Sequence, residues 1–322
     1  MASSFFSIEF NISASVALIY SKDQIHNNIE NIFGYDYHFG RELLMSNWIL
    51  WPAIILLFIG IMLSLLYAFQ DRLIFYPQSI SQTEVDRIAR DYELSEELSF
   101  HGEDGKELHG WLVNAEQHGN ETHRLLIYYG GNAEELSGQI PLMTDHLQDW
   151  SVLLVNYRGY GKSEGSPREE SLYDDALLIF DQIQGRFDGG LDSLVLMGRS
   201  IGTGIATKVA AERDVNGLIL ISPFDSLTEV ARHHYPFLPI STLLRYSFNS
   251  AERINDISAP VMVMAGDEDR IIPEKRTRAL LEKKTGSVQY ELMNGRGHND
   301  IHIDPHFWTS IRDFLKSIHE DR

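Results

Sequence analysis

The sequence predicts an α/β domain with a mostly parallel central sheet, helices on both faces and a short helical lid insertion, preceded by one transmembrane helix. Three observations carry this expectation. Beyond Gln78, short runs of Val, Ile and Leu alternate with segments of helical spacing, and strands that are apolar throughout belong to parallel sheets covered on both faces. The tract "ILWPAIILLFIGIMLSLLYAF", residues 49–69, contains no charged residue, and about 20 apolar residues suffice to cross a bilayer as a helix. In "SLVLMGRSIGTGIATKVAAE", a serine enclosed by glycines stands where a strand pattern gives way to a helical one.

The bulk composition sets the outer bounds. With 322 residues, 43% hydrophobic and 11% aromatic, the chain can bury a large core. A formal net charge of -19 opposes nucleic-acid binding, because phosphate recognition needs a basic surface. The absence of cysteine excludes disulfides, thiolate metal sites and a cysteine nucleophile.

In chain order, residues 1–46 show neither period nor motif and receive no function. The transmembrane helix is expected over 47–70, crossing the lipid bilayer through residues 49–69, with Trp48, Trp51, Tyr67 and Phe69 at its ends and Pro52 in its first turn. Arg72, Arg87 and Arg90 after it and Lys22 and Arg41 before it are too evenly matched to orient it. Sequons stand at Asn11 and Asn120, on opposite sides of the span.

The remaining residues, 71–322, form the α/β domain. "LSFHGEDGKELHGWLVNA" reads as a hairpin turning at Glu103-Asp104-Gly105. "RLLIYYGG" and "WSVLLVNYRGYGKSEG" are buried strands ending in glycines, followed by the helix "SLYDDALLIFDQI". The strand "SLVLMG", the helix "GTGIATKVAAER" and the strand "GLILISPF" come next. The strand "APVMVMAGDED", the helix "PEKRTRALLEKK", the strand "SVQYELMNG" and the helix "PHFWTSIRDFLKSI" complete the alternation. It is interrupted once, over about 225–259, a segment too long for a simple connection and therefore expected to form a lid over the strand ends.

Two chemistries compete for the central glycines. Gly198, Gly202 and Gly204 alone give G-x-x-x-G-x-G, the spacing of a dinucleotide loop in short-chain dehydrogenases. Several strands precede this one, however, and no tyrosine has a lysine four residues later, as those enzymes need. With the serine included, Gly198-Arg199-Ser200-Ile201-Gly202 is G-x-S-x-G between strand and helix, a nucleophile elbow. The turn demands small neighbours two residues to either side, and the helix that starts there aims N–H groups at developing negative charge.

A serine hydroxyl needs a base, and the base needs a carboxylate. Asp269 is the expected acid, since Gly266, Asp269 and Pro273 complete a Gly-x-x-Asp-x-x-x-Pro loop after a strand, with Asp267 second. His298, which follows Gly297 at the end of the last strand, is the expected base. The oxyanion hole is assigned to the backbone N–H groups of Ile201 and Asn132, the latter in "YYGGNAEE", with Ala133 next in line. His298, His302 and His306 also recur every four residues as metal ligands on a helix can, but Pro305 opposes a continuous helix. No metal and no organic cofactor is expected.

With these residues in place, the chain resembles the α/β-hydrolases, and more narrowly the membrane-anchored bud-emergence-type proteins and abhydrolase-domain depalmitoylases. The resemblance runs from about Gln70 to the C-terminus and rests on "LIFYP", "GGNAEE", "NYRGYGKSEGSP", "GRSIGTGIA", "SPFDSL", "YPFLP", "GDEDRIIP" and "GHND". It implies the α/β-hydrolase fold and a serine hydrolase on a single anchor, using Ser200, Asp269 and His298. Two positions depart from the family pattern: Gly130 stands where histidine is usual, and Asn156 where aspartate is common, the latter with no catalytic consequence expected. The expected partner is an acyl ester or thioester, carried by a lipid or a lipidated protein, and the lid stretch "HHYPFLP" is apolar enough either to suit an acyl chain or simply to pack against the sheet. The choice among ester, thioester and peptide bonds lies in the lid and pocket. A membrane-tethered binding protein that kept the fold without the chemistry is the alternative, disfavoured by an intact set of serine, acid and histidine.

Overall fold

The computed structural model describes residues 37–113, 123–187 and 190–320. Residues 1–36 of the N-terminal segment and both sequon asparagines, Asn11 and Asn120, lie outside the described residues. The chain divides into two compact units between Leu65 and Leu66.

In the first unit the uncharged tract is helical, but the helix, α1 (Tyr37–Ile74), is longer than the sequence predicted at both ends. Upstream, Glu42, Leu43, Leu44 and Met45 are good helix formers that carry it back to Tyr37. Pro52 therefore lies inside the helix rather than in its first turn, and the carbonyl of Trp48 loses its usual N–H donor. Leu50–Ile74 is long and apolar enough to cross a membrane. Within that stretch the Ser64 hydroxyl donates to the carbonyl of Gly60 at 2.8 Å, so it adds no unpaired polar group.

In the second unit the last turn of α1 continues past Gln70 because the lid holds it. Gln70 Nε2 donates to the carbonyl of Leu243 at 3.2 Å, and Gln70 Oε1 accepts the N–H of Arg245 at 2.8 Å. Asp71 accepts from both the Arg245 guanidinium and the Tyr246 hydroxyl at 2.6 Å. A short helix, α2 (Gln82–Asp91), capped by the Ser81 side chain, then leads to the sheet.

Among the described residues the sheet has eight strands: β1 (Ser95–His101), β2 (Glu107–Val113), β3 (Arg124–Tyr129), β4 (Ser151–Val155), β5 (Ser193–Arg199), β6 (Gly217–Ile221), β7 (Val261–Gly266) and β8 (Val288–Met293), in the order β1-β2-β4-β3-β5-β6-β7-β8. β1 and β2 form the predicted hairpin, and β2 also pairs antiparallel with β4. Every other pairing is parallel, with Tyr129 opposite Gly198 in the β3–β5 register.

Side chains alternate between two cores, one on each face. Leu125, Ile127, Leu194 and Leu196 pack on the face covered by α4 (Glu169–Gln184) and α5 (Ile201–Glu212). Leu126, Tyr128, Val195 and Met197 face the side covered by α3 (Ile140–His146) and α9 (Phe307–Glu320). The interruption between β6 and β7 contains α6 (Leu227–His234) and α7 (Ile240–Leu243), and α8 (Glu274–Leu281) joins β7 to β8.

The elbow glycine at the start of α5 tolerates no side chain. A Cβ on Gly202 would stand 2.1 Å from the Tyr129 carbonyl oxygen and 2.5 Å from that of Gly130. Gly202→Ala should lower Tm by about 3–10 °C, from an overpacking cost of about 1–3 kcal/mol. Gly138→Ala, where a Cβ meets nothing within 4 Å, serves as the control and should leave Tm almost unchanged.

Candidate active site

β5 ends at Arg199 and α5 begins at Ile201, so Ser200 alone makes the turn, at φ 52° and ψ −121°. A positive φ at a non-glycine residue stores about 1–3 kcal/mol, and here the surroundings enforce it. The Ser200 N–H donates to the carbonyl of Ile221 at 2.9 Å, and the Ser200 carbonyl accepts from the N–H of Thr203 at 2.9 Å and its hydroxyl at 2.6 Å. A Cβ on Gly198 would come within 2.5 Å of the Gly202 carbonyl oxygen, so the bare glycine on the other flank is required as well.

The structure brings the three expected side chains into one chain of contacts. His298 Nε2 is 2.9 Å from Ser200 Oγ, and His298 Nδ1 is 2.7 Å from Asp269 Oδ2. With Nδ1–H donating to the carboxylate, Nε2 is left to accept the serine proton. Asp269 is fixed in turn, since Oδ1 accepts the N–H groups of Ile271 at 2.9 Å and Ile272 at 2.7 Å. Asp267, the second choice, is exposed and faces elsewhere, accepting the N–H of Gly295 at 2.7 Å. The acid and histidine loops can cross because Gly266 has no side chain: a Cβ there would lie 2.2 Å from the Arg296 carbonyl oxygen.

The loop after β3 runs beside the serine, where a Cβ on Gly131 would be 3.7 Å from Ser200 Cβ. Among the described residues the Asn132 N–H has no hydrogen-bond acceptor, while the Ala133 N–H is taken by Asn132 Oδ1 at 2.9 Å. Ile201, first in α5, has an N–H with no acceptor in its own helix. The Asn132 side chain serves the loop itself: Nδ2 donates to the carbonyl of Ile74, and Oδ1 accepts from the Tyr160 hydroxyl at 2.8 Å and the N–H of Tyr76 at 3.1 Å. The three spaced histidines do not share a helix. His298 is in the loop, His302 in a 3-10 turn (Ile301–Ile303), and His306 precedes α9.

A family model described as serine aminopeptidase, S33, matches residues 133–238. An uncharacterized protein of Mycobacterium tuberculosis is 33% identical over 249 residues, covering 77% of this chain and 87% of its own. This chain belongs to the α/β-hydrolase family. A lysophosphatidylserine lipase of Danio rerio, ABHD12, is similar to this α/β-hydrolase at 29% identity over 234 residues, 62% of this chain and 59% of the lipase. Among solved structures, an esterase from Pyrococcus furiosus shares the fold with a TM-score of 0.60 at 17% identity, over 76% of this chain and 97% of its own. An acetyl xylan esterase from Paenibacillus shares it with a TM-score of 0.58 at 15% identity, over 77% and 98%.

Two features of this α/β-hydrolase escaped the sequence reading. Glu134, nearly buried, accepts the N–H of Gly131 at 2.5 Å, the Tyr128 hydroxyl at 3.1 Å and Arg199 at 3.2 Å. Arg199 also donates to the His298 carbonyl and to Asn299 Oδ1, each at 3.2 Å. The pair thus ties the loop after β3 to the histidine loop across the end of β5. The sequence signal was present, an acid in "GGNAEE" and the arginine inside G-x-S-x-G, but nothing local says that they meet.

Asn156 is the second feature. It is 1% exposed, accepts the N–H of Leu136 at 3.0 Å, and donates from Nδ2 to Glu135 at 2.9 Å. Its Nδ2 also lies 3.2 Å from Nδ1 of His109, whose pKa burial pushes down, so that the ring is neutral and can accept. An aspartate here would set a second carboxylate against Glu135. Asn156→Asp should therefore lower Tm at pH 8 by about 3–10 °C, from about 1–3 kcal/mol of lost donation and like-charge contact. Glu135→Gln in the same chain should recover most of the loss, and a double-mutant thermal series would measure it.

Proposed function

We propose that this α/β-hydrolase is a membrane-anchored serine hydrolase that cleaves an ester or thioester through an acyl-enzyme. The observation that carries the reading is the hydrogen-bond chain from Ser200 Oγ to His298 Nε2 at 2.9 Å and from His298 Nδ1 to Asp269 at 2.7 Å. Ser200 attacks the carbonyl carbon as its proton passes to His298 Nε2, and Asp269 orients the ring and stabilises the imidazolium. The N–H groups of Ile201 and Asn132 receive the oxyanion. As the bond to the alcohol or thiol breaks, His298 returns the proton to that leaving group. Water then attacks the acyl-serine with His298 again as base, releasing the acid and restoring the serine.

The surroundings fit an apolar acyl group. A cleft of about 240 Å³, lined by Met143, Met197, Ile221, Phe307 and Trp308, opens beside Arg199 and Asn299, each next in sequence to a reacting residue. Similarity to a lysophosphatidylserine lipase favours a lipid ester, and α1 would hold the domain at a bilayer where such esters reside. A single membrane span through residues 49–69 is part of the same reading.

A fluorophosphonate probe tests it on membranes carrying the full chain. Wild type should be labelled and Ser200→Ala should not, while His298→Ala and Asp269→Asn should each slow labelling by at least about a hundredfold. Folded wild-type chain left unlabelled would turn the reading towards a membrane-tethered binding protein.

A further inference from the structure

We propose that the tip of the lid, with Tyr235, Phe237 and Ile271, is a docking surface for the lipid bilayer that sets the mouth of the catalytic site against the membrane. That the docked mouth admits a substrate drawn from the bilayer rests on the hydrolase reading; the docking itself does not.

Four observations converge on this surface. Phe237 is 98% exposed, Tyr235 60% and Ile271 49%, on a domain whose other large apolar side chains are mostly buried. The tip belongs to "YPFLPISTLL", residues 235–244, ten residues without a charge, in which a short turn (Leu238 N–H to the Tyr235 carbonyl, 3.1 Å) presents Phe237 outward. Exposed aromatics beside an uncharged run are costly in water and favourable at a membrane interface.

The patch adjoins the reacting residues. His234 Nε2 lies 2.9 Å from the carbonyl of Ile271, and the N–H of Ile271 donates to Asp269 at 2.9 Å. One hydrogen-bonded path therefore runs from the exposed tip to the acid of the catalytic chain.

Its rim is basic although the chain carries a net charge of -19. Arg232, His233 and His234 make up the last turn of α6, Lys275 bonds to His233, and Arg270 is exposed beside Ile271. Arg232 pairs with Glu229, so the excess positive charge rests on Lys275 and Arg270. A basic rim around an apolar centre complements anionic headgroups.

Finally, the lid is tethered close to where the proposed span would leave the bilayer. Gln70 and Asp71, which directly follow the uncharged tract, are hydrogen-bonded to Leu243, Arg245 and Tyr246. Phe237 lies six residues before Leu243, a reach of no more than about 20 Å. This continuity favours the bilayer over a protein partner.

The chain has no cysteine, so single introduced cysteines can be labelled without background. Full-length Phe237→Cys and Ile271→Cys, each carrying an NBD fluorophore, would be reconstituted in phosphatidylcholine–phosphatidylglycerol vesicles containing nitroxide-labelled lipid. Leu57→Cys in the apolar tract and Asp313→Cys on the exposed face of α9 would be the positive and negative references. Docking predicts that the 237 and 271 probes lose at least about half of their emission, as the 57 probe does, while the 313 probe is unaffected. Emission at 237 and 271 that stays unquenched overturns the proposal, and a blue shift without quenching would assign the patch to a protein surface or a second copy. Quenching needs no turnover, so hydrolysis of a soluble ester by the same vesicles reports separately on the hydrolase reading.

Discussion

Everything at the site depends on the turn at Ser200. A non-glycine residue at φ 52° is held there because the glycines on either side allow backbone to approach backbone at distances that no Cβ could share. The same approach presses the start of α5 against the carbonyls of Tyr129 and Gly130, which brings the loop after β3 beside Ser200. One steric constraint thus fixes both the serine and the wall that faces it. The strain is small against the total burial of two cores, so a rigid scaffold can hold it.

Around that turn the loops are tied by polar contacts rather than by packing. Glu134 and Arg199 bind the loop after β3 to the histidine loop, and Asn156 pins the far end of the former to β4. The Asn132 side chain joins the same loop to Ile74 and Tyr76, at and just beyond the end of α1. The lid is bonded to Gln70 and Asp71 on that same last turn. The residues that leave the apolar tract therefore hold both the loop beside Ser200 and the lid. The last turn of α1, within the second unit, thus shares one set of hydrogen bonds with the lid and with the loop beside Ser200.

The parts of this arrangement legible in the sequence are those with a local signature. Continuous apolar strands gave the parallel sheet, Asp104-Gly105 gave the hairpin turn, and an uncharged tract gave α1. Ser200, Asp269 and His298 could each be singled out because each follows a strand, and parallel strands deliver their ends to one edge. The contact of Ser200 with His298, 98 residues away, was expected from the G-x-S-x-G turn together with the chain order serine, acid, histidine. The rest was set by tertiary contacts. Helix propensity around Leu43 and Leu44 could extend α1 upstream, but its end at Ile74 is fixed by lid residues some 170 positions later. The structural role of Asn156 has no local signal because its partners, Glu135 and Leu136, come from another loop. The crossing that places β4 between β2 and β3 has no local signal either.

The central claim is that the geometry of the turn makes Ser200 the residue that carries the acyl group. The most direct test is to stop turnover of an activated short-chain ester with acid in its first moments and map the covalently bound acyl group by peptide mass. The account predicts up to one acyl group per chain, on the peptide that contains Ser200. Turnover with no acyl group on the protein, or with the group on another residue, would contradict it.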